Sequence, residues 1–194
     1  PPTMLDTRTA TTLGTAILVG VQLPHRTDAE HAADLEELGR LVRTLGYDVV
    51  ATVAQRREAL SAAAVIGEGK LKELAALTGG TGTIPSGAPA RKTRRSRGDA
   101  REEETHAEEE EESGGPGGRK PMLIVVDHEI SPSQARNLER ATSAQVLDRT
   151  GVIVEIFHRH AKSREARLQV EIARLNYVAP RMRESAISER QQGR

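Results

Sequence analysis

The sequence has 194 residues and equal numbers of basic and acidic side chains, 28 of each, so its net charge points to no particular class of partner. It contains no cysteine, which excludes disulfides, iron–sulfur clusters, thiolate zinc sites and a cysteine nucleophile, and is compatible with the cytosol. Aromatic residues make up only 2%, which disfavours a surface that stacks single-stranded bases on exposed rings. No segment approaches the roughly 18 uninterrupted apolar residues of a transmembrane helix, so no membrane span is predicted.

The first part of the chain alternates between apolar runs and helical patterns. Residues 1–14 have no basic region followed by an apolar stretch and are expected to form a disordered leader. The apolar run Ala16–Leu23 predicts a buried strand, and Tyr47–Val53 predicts a second one. Between them, apolar residues spaced by three and four predict a helix over Asp28–Leu45, and another helix is predicted over Lys70–Leu77.

Residues 79–120 differ in composition from the rest of the chain. Gly, Pro and Ser flank a basic block at 91–97 and an acidic block at 102–112, and Ile84 is the only large apolar residue. Such a segment cannot bury enough surface to offset the conformational entropy lost on folding, so it is predicted to be a disordered, solvated insertion. The alternative is a pair of charged arms, a basic one for RNA and an acidic one for a basic partner.

The pattern resumes after the insertion. Pro121–Asp127 and Gln145–Asp148 predict two more strands, and Ser131 and Pro132 supply the N-cap and first-turn residues of a helix between them. The alternation of strands and helices predicts an α/β fold with a small four-stranded, mainly parallel sheet flanked by helices. Thr150–Phe157 fits either a strand or a helix, and its pattern alone does not decide between them.

From residue 162 onward the sequence predicts a long basic helix. Apolar residues recur at spacings of four, three and four, as in the seam between two packed helices: Leu168, Ile172, Leu175 and Ala179. Arg167, Arg174 and Arg181 recur every seven residues and form a separate row. This row suits phosphate contacts, because guanidinium groups bind phosphate bidentately, although a solvated helix face is the simpler interpretation. From residue 149 onward ten basic residues stand against five acidic ones.

A glycine-containing turn offers one candidate anion site. Gly67, Gly69 and Lys70 lie where a helix is predicted to begin, and the first N–H groups of a helix attract anions. A phosphate loop requires G-x-x-x-x-G-K-[ST], but Ala64 and Leu71 occupy the positions of the first glycine and the hydroxyl residue. A glycine turn that admits a helix is therefore the simpler interpretation.

Polar residues at the ends of two predicted strands are weaker candidates. Asp127 and His128 lie where α/β sheets place ligand groups, but no second carboxylate or histidine with metal-like spacing is near, so strand termination and helix capping are favoured. Asp148 is interpreted in the same way, as a cap or a local ion pair. No serine-nucleophile elbow, HExxH motif or paired-acid arrangement occurs, so neither a catalytic residue nor a metal site is predicted.

Three longer strings stand in a fixed order. They are VIGEGKLKEL, DHEISPSQARNLE and VLDRTGVIVEIFHRHAKSREARLQVEIARLNYVAPRM, at residues 65–74, 127–139 and 146–182. Together they resemble, in order and spacing, the amino-terminal region of the HflX family of ribosome-associated GTPases. The resemblance covers about residues 15–190 apart from the insertion.

The resemblance implies an α/β subdomain over residues 15–161, interrupted by the 79–120 insertion, and the first arm of a helical hairpin over 162–194. It also implies that residues 150–161 form a helix. Proteins of this family dock on the large ribosomal subunit and split ribosomes in their GTP-bound form, so the implied partner is that subunit and its rRNA, in the cytoplasm. The basic residues assigned to rRNA binding are Arg159, Lys162, Arg164, Arg167, Arg174, Arg181 and Arg183.

The same resemblance implies a part that this sequence does not contain. The phosphate loop and the N-K-x-D motif are absent, so GTP and Mg²⁺ are expected in a separate GTPase domain, and the chain is expected to be a fragment that does not hydrolyse GTP by itself. The alternative function is an independent nucleotide-binding domain or RNA-remodelling element that uses the Gly67–Lys70 turn. The parent protein is expected to be monomeric.

The apolar seam of the last helix needs a cover. In this chain it lacks a partner helix, so it is expected to pair with another copy, to fold back on the α/β body, or to fray. Pro180 is expected to end or kink the helix, because proline removes a backbone donor and clashes with the preceding turn.

Overall fold

A parallel sheet forms the centre of the molecule. The computed structural model describes residues 13–84 and 123–192, with side chains up to residue 183. Its four strands are β1 (Gly14–Gln22), β2 (Tyr47–Arg56), β3 (Leu123–Val126) and β4 (Gln145–Asp148). They lie in the order β2-β1-β3-β4, and every neighbouring pair is parallel. The predicted α/β class is confirmed, and the sheet is wholly parallel.

Five helices accompany the described strands. They are α1 (Asp28–Thr44), α2 (Glu68–Thr78), α3 (Pro132–Thr142), α4 (Arg149–His160) and α5 (Arg164–Gln192). The helical interpretation of 150–161 that the resemblance implies is confirmed by α4. Pro180 was expected to end or kink the last helix, and it does not end it, because α5 continues through that proline. Within the described ranges, no helix combines the length and apolarity needed to cross a bilayer.

The sheet separates two apolar layers. Ile17 and Val19 of β1 face one layer together with residues of α2 and α3, whereas Ala16 and Leu18 face the other together with residues of α1 and α4. Successive residues of a strand point to opposite faces, so a strand buried on both sides reads as a continuous apolar run. This is why β1 and β3 are the clearest strands in the sequence.

The helix starts follow from local chemistry. Thr27 and Glu30 form a capping box at the start of α1, and Ser131 and Gln134 form another at the start of α3. In each box the hydroxyl oxygen accepts a backbone N–H and the longer side chain accepts the N–H of the cap residue, which satisfies two otherwise unpaired donors. Pro132 occupies the first turn of α3, as predicted.

The start of the charged insertion needs a correction. Residues 79–84, assigned to the disordered segment by their composition, pack on the α/β body. The N–H of Gly82 donates to the carbonyl of Ala141 at the end of α3 (2.8 Å), and Ile84 packs against the core between the sheet and α2 and α3. The rest of the predicted insertion, 85–120, lies outside the described residues, as do residues 1–12 of the predicted leader.

Candidate nucleic-acid interface

Helices α4 and α5 form an antiparallel pair. Residues 161–163 connect them, and contacts along the pair run in opposite chain directions: His158 lies 3.5 Å from Glu171, and Glu155 lies 2.9 Å from Arg174. At the connection a groove of about 500 Å³ opens between the two helices. The groove is lined by His158, Arg159, Ala161, Arg164, Arg167, Leu168 and Glu171.

Two arginines of this groove are anchored to the ends of helices. Arg159 donates a hydrogen bond to the carbonyl of Leu45 at the end of α1 (2.5 Å), and Arg167 donates one to the carbonyl of Ala161 at the end of α4 (3.2 Å). Carbonyls at helix C-termini carry partial negative charge and favour nearby cations. A guanidinium has five N–H donors, so one such bond leaves several donors for a ligand.

Two cations at this connection are exposed, Arg164 in the groove lining and Lys162 next to it. Lys162 lies in the connection and Arg164 begins α5, and neither has a carboxylate partner among the described residues. Arg159, Lys162, Arg164 and Arg167 are named here the elbow cations. Glu171 is the acidic residue of the groove, so the local charge is positive, as binding to a polyanion requires.

The structure gives the other predicted arginines different environments. Arg174 forms an ion pair with Glu155, and Arg181 lies 3.5 Å from the buried carboxylate of Asp148 and donates to the carbonyl of Val146 (3.0 Å). Both guanidinium groups therefore contact groups of the α/β body, whereas Arg167 lies at the groove, and the assignment of all three to rRNA binding stays a prediction. The Arg181–Asp148 pair is buried, and pairing is favourable there since an unpaired buried charge is costly, whereas Arg174 remains 40% exposed.

The apolar seam takes the exposed position instead. Leu168, Ile172 and Leu175 are 59%, 60% and 56% exposed, so in this structure the seam does not fold back on the α/β body. Arg183, the last of the predicted rRNA-binding residues, is also exposed and lies on α5 roughly 28 Å along the axis from Arg164 at 1.5 Å per residue. The predicted cationic surface thus divides into the elbow cations and one distant arginine.

The Gly67–Lys70 turn is largely occupied by internal contacts. Gly67 is the N-cap of α2, and its N–H donates to the side-chain oxygen of Gln55 (2.9 Å). Lys70 pairs with Glu73 on the same helix (2.7 Å). Glu68 adds a negative charge in the first turn, which disfavours an anion at this helix start. The guanidinium of Arg57 lies beside Gly67, and the anion-binding role of Gly67, Gly69 and Lys70 stays a prediction.

The polar residues at the strand ends have structural contacts. Both carboxylate oxygens of Asp127 accept the N–H of Val21 (3.2 Å), which ties the end of β3 to β1. His128 contacts the same carboxylate (2.5 Å), and His31 approaches it at 3.7 Å. In residues 13–84 and 123–192 no group of three or more metal-ligating side chains is suitably placed for a metal ion.

Asp148 serves as both a cap and a pairing residue. Its carboxylate accepts the N–H of Gly151 (2.8 Å), which caps α4. The neighbouring Arg149 pairs with Glu37 of α1 (2.5 Å). The cap interpretation of this strand end is confirmed, whereas the ion pairs of Asp148 and Arg149 reach distant parts of the chain and are not local.

Sequence reasoning missed several residues around the elbow and the helix interface. His158 and Leu168 line the groove beside the elbow cations, and Tyr177 supports Arg181 with its ring 4.3 Å from the guanidinium carbon. Which of these side chains meet depends on how α4 and α5 pack together, and no local sequence pattern predicts that packing. The one available signal was that Tyr177 is one of two tyrosines in the chain.

Family models match most of the chain. The model described as GTP-binding GTPase N-terminal matches residues 32–85 and 83–158, and the model described as GTP-binding GTPase Middle Region matches residues 160–194. The boundary between them falls at the connection between α4 and α5.

Two curated relatives have the same name and cover most of this chain. The chain is 60% identical over 172 residues to GTPase HflX of Gluconacetobacter diazotrophicus, a match that covers 88% of this chain and 38% of that protein. It is 30% identical over 167 residues to GTPase HflX of Escherichia coli, covering 86% of this chain and 30% of that protein. The chain therefore spans about a third of the length of these relatives.

Solved structures have the same fold. A GTP-binding protein from the hyperthermophilic archaeon Sulfolobus solfataricus, in complex with GDP, matches with a TM-score of 0.53 and 19% identity over 89% of this chain and 40% of that one. A G235S variant of SsGBP matches with a TM-score of 0.54 and 19% identity, over 89% of this chain and 41% of that one. At this identity the likeness concerns the fold alone. Taken with the family models and the identity to the curated relatives, the α/β body and the α5 arm make this chain a member of the HflX family of GTPases.

Proposed function

We propose that this chain is the ribosome-binding module of an HflX-type GTPase, and that it contacts rRNA of the large ribosomal subunit through the elbow cations. The observation that carries the proposal is the grouping of four basic side chains around one groove at the connection between α4 and α5. Two of them, Lys162 and Arg164, have no acidic partner within the described residues. Splitting or rescue of ribosomes, driven by GTP with Mg²⁺ in a separate domain, belongs to the same proposal.

The chemistry of the elbow fits folded RNA better than single strands. Double-stranded RNA is recognised by its shape and by contacts to phosphate and 2′-hydroxyl groups, without aromatic platforms. The elbow offers guanidinium groups anchored on helix ends, and no Phe, Tyr or Trp is among the residues that line its groove. The imidazole of His158, which does line it, lies 3.5 Å from Glu171. Arg174 and Arg181 contribute in this proposal by holding α5 in place, because their internal contacts compete with phosphate binding.

Co-sedimentation with purified bacterial large ribosomal subunits tests the proposal. Each phosphate contact releases counterions and contributes about 0.7–0.9 to the slope of log affinity against log salt concentration. The double variant Lys162→Glu with Arg164→Glu is therefore expected to bind more weakly at about 50 mM salt and to show a slope smaller by roughly 1.5. Small subunits serve as the second ligand and are expected to bind less.

A matched control separates local contacts from net charge. Arg26→Glu with Arg40→Glu changes the charge by the same amount on α1 and its N-terminal approach, where both arginines form exposed ion pairs. This control is expected to retain most of the binding and its salt dependence. Equal losses in the two double variants would mean that only net charge matters, and an unchanged elbow variant would remove the elbow cations from the interface.

A further inference from the structure

The carboxylate of Asp148 lies at the meeting point of the sheet, α4 and α5. Its side chain is only 2% exposed. One oxygen accepts the N–H of Gly151, and the other lies 3.5 Å from a guanidinium nitrogen of Arg181. A charged group this deeply buried is tolerated only with compensating partners, so the position of Arg181 is strongly constrained.

Arg181 reaches past this carboxylate to the sheet itself. Its second nitrogen donates to the carbonyl of Val146 in β4 (3.0 Å), and its guanidinium carbon lies 4.3 Å from the centre of the Tyr177 ring. The planar fork of arginine can satisfy a carboxylate, a carbonyl and an aromatic face together, which a lysine cannot. Arg181 therefore ties the middle of α5 to an interior strand end rather than to the surface of a neighbouring helix.

Tyr177 forms the second part of the junction. Its hydroxyl oxygen accepts the N–H of Asp148 (3.4 Å), and its ring packs in the apolar layer that α1 and α4 share with the sheet. Burial, and then the charge of Asp148, raise the pKa of the Tyr177 hydroxyl, so it stays protonated at neutral pH. The ring thus gives α5 a fixed depth against α4.

Two ion pairs between α5 and α4 are more exposed to solvent than the contacts of Tyr177 and Arg181. Arg174–Glu155 and His158–Glu171 link α5 to α4 alone, with side chains between 28% and 44% exposed. Exposed pairs of this kind contribute little, since water screens them and side-chain entropy opposes them. Helix α5 also lies beside α3, where Val178 and Met182 line a cavity with Ala135 and Glu139. Among the polar contacts of α5 described here, those of residues 177 and 181 are the ones that reach the buried end of the sheet.

We infer that Asp148, Tyr177 and Arg181 form a latch that fixes the direction of α5 on the α/β body, with residues 161–163 as the covalent pivot. The inference goes beyond the proposed function and does not rest on RNA binding. It assigns to these three residues a positioning role that the elbow cations do not share.

Spin-label distance measurements on the whole chain test the latch. The sequence has no native cysteine, so single labels are introduced cleanly. Asp48→Cys on β2 and Ala173→Cys on α5, both at exposed positions, report the direction of the arm. Asp48→Cys with Ala33→Cys on α1 reports the body alone, as an internal control.

Arg181→Gln and Tyr177→Phe are then introduced separately. The arm distance distribution is expected to widen, roughly twofold for Arg181→Gln and less for Tyr177→Phe, while the body distance keeps its width. Arg181→Lys is expected to restore part of the effect, and Arg183→Gln, an exposed position two residues along, is expected to change nothing.

Two results would overturn the latch. An unchanged arm distribution in both Arg181→Gln and Tyr177→Phe would show that other contacts fix α5. A body distance that widens together with the arm distance would show that these residues hold the α/β fold itself rather than the direction of the arm.

Discussion

Gly151 of α4 lies so close to Tyr177 of α5 that no side chain fits between them. A Cβ built on Gly151 would lie 2.7 Å from Cζ of the tyrosine ring, nearer than carbon atoms approach in real structures. The two helices therefore reach their observed separation only because residue 151 has no side chain. The same closeness brings the tyrosine hydroxyl to the N–H of Asp148.

Gly151→Ala is expected to lower the free energy of unfolding by about 1–3 kcal/mol, because the added methyl group displaces the ring. In a Tyr177→Ala background the same change is expected to be neutral or stabilising by up to about 1 kcal/mol, since alanine favours helix over glycine. Urea unfolding of the four proteins measures this reversal of sign. Equal destabilisation in both backgrounds would contradict the contact.

The strands and most helices were predictable because their chemistry is local. The apolar run of β1 and the Ser131–Pro132 helix start each contain the information that forms them. Strand β2 was predicted too short, because it ends in the polar residues Gln55 and Arg56 and its outer edge has no neighbouring strand among the described residues. The end of an edge strand contains few apolar residues, so its hydrophobic pattern does not mark where the strand stops.

The orientation of α5 was not predictable in the same way. The sequence has an apolar seam and an arginine row on different sides of the helix. Because apolar faces usually pack inward, the seam is the side that one expects to be buried. The structure leaves Leu168, Ile172 and Leu175 exposed. It turns Arg181, and to a lesser extent Arg174, toward the body, because Asp148 and Glu155 supply carboxylates there. These partners lie 33 and 19 residues away in sequence, a separation that no periodic pattern encodes.

Gly80 offers a second steric prediction, at the start of the segment whose composition was misleading. A Cβ on Gly80 would lie 2.5 Å from the Cα of Thr142, and that atom belongs to the backbone at the end of α3 and cannot swing away. Gly80→Ala is therefore expected to lower the free energy of unfolding by about 2–3 kcal/mol. Thermal or urea unfolding measures the loss.

Gly69→Ala is the matched control for that substitution. Gly69 lies in the first turn of α2 with no heavy atom within 4 Å of its added Cβ. Alanine there is expected to be neutral or stabilising by up to about 1 kcal/mol, from helix propensity. If both glycines tolerate alanine equally, residues 79–84 do not pack on α3 as described.

Glu139 on α3 predicts a dependence of stability on pH. Burial raises the pKa of its carboxyl above the usual 4.5, and the opposing influences of the Val146 N–H and Arg181 are smaller. In the window between the unfolded and the raised folded pKa the native state binds more protons, so stability falls as pH rises, and the cost is fully present above that window. At neutral pH the ionised carboxylate of Glu139 therefore makes the fold less stable than the protonated carboxyl would.

Glu139→Gln removes the charge and keeps an oxygen to accept the Val146 N–H, which the glutamate now accepts at 3.3 Å. The variant is expected to gain stability relative to the parent as pH rises from about 4 to about 7, by less than about 1 kcal/mol because the group is partly solvated. Urea unfolding at several pH values checks the slope. A gap between the two proteins that narrows with rising pH would contradict the assignment.

The exposed seam of α5 predicts self-association without a large role in stability. Exposed apolar rows of this kind mark contact sites, whereas their loss costs a folded monomer little. Replacing Leu168, Ile172 and Leu175 together by Gln is expected to change the free energy of unfolding by less than about 0.5 kcal/mol per residue. By contrast, Leu138→Ala, at a fully buried position of α3, is expected to cost about 2–5 kcal/mol.

Sedimentation velocity over a wide concentration range measures the association itself. The parent chain is expected to form a concentration-dependent dimer, since two copies can cover each other's seams, and the triple Gln variant is expected to remain monomeric. Because the latch residues Tyr177 and Arg181 lie on another side of α5, both proteins should keep the same arm direction. A parent chain that stays monomeric at every concentration would show that this seam is too small to hold a second copy, and a triple variant that unfolds would show that the seam is buried rather than exposed.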